Sequence, residues 1–346
     1  MTIANLDTLP SEKDSLIRLV KGVVLAQGNT FIKELLRNQG IKIGTTKSDF
    51  EGNMINAIQE GTLQRSHVES WLNEVEGWGD QHVYLFRVPK TMCEVEDWND
   101  TDNIKSKISK AGFGKYWNAQ ASLEYPAAHT LTGVYFNEGI LTFTWHKGSD
   151  FFIKKKDKDY REEIEGDTYE YRAYRLRADR KVTRFVLRPF DAMAAVFLQI
   201  AADEDEHKTA FEDVKRTIGR SWSFDEFEPF AIASTIKKLD ARSLEKKNVA
   251  AHSTRLHSKG GYVEFGSTSV RNSYQDFAPV RNVRLAVHSA SFSGMNGTFT
   301  VSVTDTTGEQ RQVRVHLYGE QRRIKLSSQM TSTEVWDLLQ LIKDNT

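Results

Sequence analysis

Apolar residues recur at helical spacing from the start of the chain. Leu16, Ile17, Val20, Val23, Val24 and Leu25 form one stripe behind Ser11-Glu12-Lys13-Asp14, whose hydroxyl and acids suit a helix N-terminus. Phe31, Ile32, Leu35 and Leu36 form a second stripe behind a predicted Thr30 N-cap, and Gly40 stands where a helix end needs left-handed dihedrals. Thr46-Lys47-Ser48-Asp49 opens a third helix carrying Phe50, Met54, Ile55, Ala57 and Ile58 as far as Gly61. Ser66-His67-Val68-Glu69 opens a fourth, with Val68, Trp71, Leu72 and Val75 before Gly77. Residues 11–78 therefore predict a four-helix bundle, because helices this short are stable only against neighbours.

Beyond Gly79 the pattern changes. His82 to Val88 is β-branched and aromatic, which predicts a strand. Residues 89–118 predict a loop and a short helix. Val134 to Phe136 and Ile140 to Trp145 predict a hairpin around Asn137-Glu138-Gly139. Lys154 to Asp167 reads as a solvated charged loop, and a second hairpin is expected from Tyr169 to Leu176 and Val182 to Leu187, turning at Ala178 to Lys181. The apolar run Phe190 to Ala202 predicts a helix, followed by helical stretches at Phe211 to Ile218 and Phe224 to Leu239 and a polar linker from Arg242 to Lys259. Strands are expected at Gly261 to Phe265, Val283 to Ala290, Thr298 to Thr304 and Gln312 to Tyr318. Thr331 and Glu334 then cap a closing helix that faces inward with Val335, Leu338, Leu339 and Ile342. The fold class is α+β: an N-terminal helical bundle (1–79), an α+β domain of antiparallel hairpins with covering helices (80–240), and a C-terminal α+β domain with a closing helix (241–346).

Charge adds little in bulk, because Lys and Arg together number 47 and Asp and Glu together also number 47, so any contact with a polyanion depends on local clusters. Hydrophobic residues at 39% and charged residues at 27% fit a globular chain with a sizeable core. Cys93 is the only cysteine, which excludes a disulfide framework and a thiolate metal cluster. No run is long and apolar enough to cross a bilayer, and residues 1–10 do not resemble a leader. An intracellular site, cytoplasmic or nuclear, without membrane insertion is the expectation.

Two places carry candidate chemistry. Between Tyr171 and Arg188 stand Arg172, Arg175, Arg177, Arg180, Lys181, Arg184 and Arg188, opposed by Asp179 alone and interleaved with Tyr171, Tyr174 and Phe185. On a sheet surface such a mixture follows a phosphate backbone and stacks on bases; the competing reading is that it neutralises the acidic stretch from Asp157 to Glu170. The second place is the connector Gly40-Ile41-Lys42-Ile43-Gly44-Thr45-Thr46-Lys47. With the preceding Leu35-Leu36 helix and the following Asp49-Phe50, it resembles a SAP motif, the helix-turn-helix of chromatin and DNA-repair proteins. That resemblance implies that the connector and the next helix's N-terminus meet a DNA backbone, with Lys33, Lys42, Thr45, Thr46 and Lys47 as donors. The order of a helical bundle and a strand-rich body also resembles, in architecture only, the centromere protein N family.

Enzyme signatures are missing: Gly112-Phe113-Gly114-Lys115 lacks phosphate-loop spacing, no two of the nine histidines bracket a glutamate at zinc-hydrolase spacing, and Gly266-Ser267-Thr268-Ser269 lacks the second glycine of a nucleophile elbow. Asp203-Glu204-Asp205-Glu206-His207 reads as a solvated turn. The expectation is a non-enzymatic DNA-binding protein or subunit without a cofactor, serving chromatin maintenance or antiviral defence. Its site residues are Lys33, Lys42, Thr45, Thr46, Lys47, Arg172, Arg175, Arg177 and Arg184. Two alternatives stay open: a metal-dependent nuclease using Glu264 and Asp276, and a protein–protein adaptor, including a homo-oligomer, whose bundle is death-domain-like.

Overall fold

The structure is a computed structural model that describes residues 11–93, 96–118, 126–199, 212–216, 226–245, 248–267, 273–288, 292–305 and 308–346. The acidic run at 203–207 lies outside the described residues, and of the helix expected at 211–218 residues 212–216 are described and are helical. Two compact units form: residues up to Asn73 with Gln120–Thr130 and His146–Lys181, and Glu74–Ala119 with Leu131–Trp145 and Val182–Thr346.

Four helices lie in the N-terminal stretch that opens the first unit: α1 (Glu12–Gly22), α2 (Asn29–Asn38), α3 (Lys47–Glu60) and α4 (Arg65–Val75). Ser11 caps α1 by accepting from the Asp14 amide, and Thr46 and Asp49 form a reciprocal capping box on α3. The expected Thr30 cap is corrected: Gly28 precedes α2 without a side-chain cap. Gly40 and Gly61 do take positive φ, 65° and 83°. Leu19, Val20, Ile32, Leu36, Phe50, Met54 and Val68 are buried, so the predicted stripes are the core of the bundle.

The same unit carries a two-stranded arm, β4 (Tyr160–Ile164) paired antiparallel with β5 (Asp167–Tyr171). The charged loop expected here is therefore largely strand. All ten strand residues of the arm are exposed, and Arg161 is its one cation among Glu162, Glu163, Asp167 and Glu170.

An eleven-stranded sheet dominates the second unit, in the order β10-β9-β11-β12-β13-β1-β7-β6-β3-β2 with β8 (Glu228–Pro229) on β1. Its strands are β1 (His82–Arg87), β2 (Thr130–Asn137), β3 (Ile140–Lys154), β6 (Tyr174–Arg188), β7 (Met193–Leu198), β9 (Val249–Ser258), β10 (Gly261–Gly266), β11 (Ser293–Thr304), β12 (Gln310–Tyr318) and β13 (Arg323–Leu326). Its helices are α5 (Lys90–Cys93), α6 (Thr101–Lys110), α7 (Ile232–Leu244), α8 (Ala278–His288) and α9 (Ser332–Asp344). The α+β class holds, and β1 pairs with both β13 and β7, so strands from either side of residue 240 share one sheet.

Four expectations are corrected. The run at 190–202 contains strand β7, buried on both faces, and a continuous apolar run gives periodicity nothing to distinguish it from a buried helix. Residues 178–181 do not turn, because β6 runs through them as one strand and Arg180 is buried. The linker expected from Arg242 to Lys259 is the end of α7 and strand β9, whereas Val283 to Ala290 overlaps helix α8. The first hairpin forms as expected, with Glu138 and Gly139 both at positive φ, 49° and 74°.

Two apolar clusters sandwich the sheet. One contains Val83, Phe299, Val301, Val313, Val315, Leu317 and Ile324 under α7 and α9. Thr331 and Glu334 cap α9 as predicted, and Val335, Leu338, Leu339 and Ile342 are buried. The other contains Phe143, Trp145, Phe185, Val196 and Ile104, and holds no residue of β9 to β13.

Candidate functional site

The connector before α3 is built around Asp49. Its Oδ2 accepts from the Thr45 amide at 2.9 Å, the Thr46 amide at 2.8 Å and the Thr45 hydroxyl at 3.1 Å. Hydrogen bonds from these two threonines, the Thr46 amide's first, hold the carboxyl's pKa at about 2 against an ordinary 3.8. Gly44 permits the clamp, since a Cβ there would lie 2.1 Å from the Asp49 Cβ. The donors expected to meet a phosphate already hold an internal carboxylate. Lys47 reaches back to the Leu25 carbonyl at 2.6 Å and so ties α3 to the end of the first helical segment. Lys42 is exposed and Lys33 half-buried.

The basic segment around β6 is divided. Exposed Arg172 pairs with Glu170 at 3.2 Å, and exposed Arg175 pairs with Glu51 of α3 at 3.1 Å. The side chain of Arg177 lies outside the described residues. Arg184 is corrected outright. It is 5% exposed, donates to the Glu76 carbonyl and lies 4.7 Å over the Trp78 ring. Gly77, at φ 72°, leaves room for it, because a Cβ there would approach its Nη1 to 2.6 Å. Arg184 is a structural brace, not a surface contact.

A different set of cations shares one face of the sheet. On β12, Val313, Val315 and Leu317 point into the helix-covered core, so Gln312, Arg314, His316 and Tyr318 stand on the other face. Cross-strand register extends that face: Thr298 lies opposite His316, which lies opposite Lys325, which lies opposite His82, while Thr300 faces Arg314 and Tyr318 faces Arg323. Thr298 Oγ1 is 2.9 Å from His316 Nδ1, and the Arg323 guanidinium sits 4.2 Å over the Tyr318 ring. Lys325 is held by Asp80 at 2.6 Å. The Nε atoms of Arg314 and Arg323 are buried and have no hydrogen-bond partner among the described residues.

Burial and this charge together depress both histidines. Burial first, then Lys325 and Arg323, lower the His82 pKa from 6.5 to about 4, outweighing the opposing effect of Asp80. Burial, then Arg314 and Lys325, lower that of His316. Farther along the same face Arg255 meets Glu264 at 2.5 Å and covers Tyr262, so that end is compensated.

Glu264, one of the two nuclease candidates, is thus held by Arg255, and Asp276 ends the short turn Tyr274–Asp276. Among the described residues, no group of three or more His, Cys, Asp or Glu side chains is placed to hold a metal ion. No described helix is long and apolar enough to cross a membrane.

The arrangement defines a class by geometry alone: an antiparallel sheet whose strands β9 to β13 have one helix-covered face and carry a partly uncompensated cationic strip on the other. Comparison of the chain with protein-family models and with curated proteins finds no match, so the geometry alone carries the functional argument.

Proposed function

We propose that the protein is a non-enzymatic binder of nucleic-acid backbone, DNA in the first instance, and that the strip of Arg314, His316, Arg323 and Lys325 is its principal contact. The observation that carries this reading is the convergence of these cations on one sheet face, where Asp80 pairs with Lys325 and the cations add to burial in depressing two histidines. Guanidinium groups with undirected N–H donors suit phosphate, and the hydroxyls of Thr298 and Thr300 add neutral donors alongside. Lys42, with Arg172 and Arg175 after exchange of their carboxylate partners, is the secondary contact on the helical unit.

Fluorescence anisotropy with labelled double- and single-stranded DNA over a salt series tests this. Affinity should fall steeply with salt, and Arg314→Ala/Arg323→Ala should lower the magnitude of the log–log slope by roughly 2, about 0.9 for each phosphate no longer neutralised. An absence of binding at low salt would reject the proposal.

One observation favours a protein-docking alternative. On one face of the arm Tyr160 stacks on Tyr171 at 4.7 Å, beside Tyr169 and Ile164, and all four are exposed. Retention of a protein partner by the intact chain but not by a Tyr160→Ser/Tyr169→Ser variant, without DNA binding by either, would favour the adaptor.

A further inference from the structure

At one end of β9 and β11 lies a cavity of about 350 Å³, within the roughly 300–1,000 Å³ typical of small-molecule sites. Asn248, Ser273, Gln275, Asp276, Ser302 and Gln312 are among its lining residues. A chain of hydrogen bonds fixes the polarity of its wall. Ser243, also in the lining, donates its hydroxyl proton to the Asp240 carbonyl at 2.8 Å, so its oxygen can only accept from the Gln275 amide nitrogen, at 3.0 Å. That contact orients the Gln275 carboxamide and leaves Oε1 as an acceptor. Gln275 is 2% exposed, and its Oε1 has no partner among the described residues. A buried acceptor left unpaired is unfavourable, so a donor arriving there is favoured. Ser273 likewise gives its proton to the Ala251 carbonyl at 3.0 Å and accepts from the Gln275 backbone amide, which keeps the wall acceptor-rich.

We infer that this cavity binds a small neutral polyol of monosaccharide size, donating a hydroxyl to Gln275 Oε1. None of the described lining residues is cationic, which disfavours phosphates and carboxylates, and none is aromatic, which disfavours a stacked nucleobase. Carboxamides and hydroxyls with both donor and acceptor capacity match vicinal diols. The cavity adjoins the cationic strip, with Thr300 lining both, but the inference does not rest on the nucleic-acid proposal.

Titration calorimetry of the full chain with D-ribose, methyl α-D-glucopyranoside and myo-inositol tests the inference, with inorganic phosphate and putrescine as counter-probes. At least one polyol should bind saturably below about 20 mM, weaker than most specific sites but measurable. Gln275→Leu should weaken it about three- to tenfold, the effect of removing one hydrogen bond. Ser302→Phe, and independently Gln312→Phe at an exposed strand position, should abolish it by filling the cavity while circular dichroism stays unchanged. Calorimetry is used because sugars raise melting temperatures without binding. No saturable heat with any of the three polyols, equal binding by both Phe variants, or preferential binding of phosphate or putrescine would overturn the inference.

Discussion

Two carboxylates show how single residues set local structure. Asp49 is exposed, yet hydrogen bonds from Thr45 and Thr46 hold its pKa at about 2. A folded-state pKa below the unfolded value means its contribution is complete above about pH 4 and lost as pH falls towards 2. Asp49→Asn should therefore flatten the acid limb of the stability curve in that window, and carbon-detected NMR of the wild type should place the carboxyl midpoint near 2. Asp240 is fully buried and accepts from Thr254 at 3.0 Å and from the Tyr274 hydroxyl. Asp240→Ala would remove the buried acceptor shared by the Thr254 and Tyr274 hydroxyls, leaving them only each other at 2.8 Å, and should lower unfolding free energy by about 2–4 kcal/mol in urea titration. The Arg175–Glu51 pair, by contrast, is exposed, so Arg175→Ala should cost no more than about 1 kcal/mol. A larger loss would show that Arg175 braces the helical unit.

Elements are legible in the sequence where their signal is local. The capping boxes of α3 and α9 sit at Thr46 and Thr331 because a hydroxyl and an acid three residues later satisfy helix-end amides without help from elsewhere. β7 and β9 are illegible for opposite reasons. β7 is apolar on both faces because it is buried from both sides, whereas β9 is polar enough to read as a loop because Ser253, Arg255 and His257 line its second face. The β4–β5 arm is the least supported element. A lone two-stranded ribbon is marginal in water, so its amides should exchange at least about 100-fold faster than those of β11 and β12 in hydrogen-exchange mass spectrometry. Comparable protection in arm and sheet would mean that something covers the arm.

At the scale of the molecule, the candidate site follows from sheet register and not from charge density. Counting basic residues along the chain singles out 172–188, where the fold buries Arg180 and Arg184. Arg314, His316, Arg323 and Lys325 are less dense in sequence, but register sets them side by side. The alternation of Val313, Val315 and Leu317 with Arg314, His316 and Tyr318 is the signal the sequence carries, though the neighbours of β12 are set by long-range pairing that one sequence does not display. The central claim is that this strip receives an anionic backbone. Its most direct test is NMR titration of the His82 and His316 rings with and without a short DNA duplex at low salt. An anion placed against the strip must offset the Lys325, Arg323 and Arg314 charges, so both pKa values should rise, His82 from about 4 and by on the order of one unit. Unchanged titration of both rings in protein saturated with duplex, or no binding at all, would contradict the account.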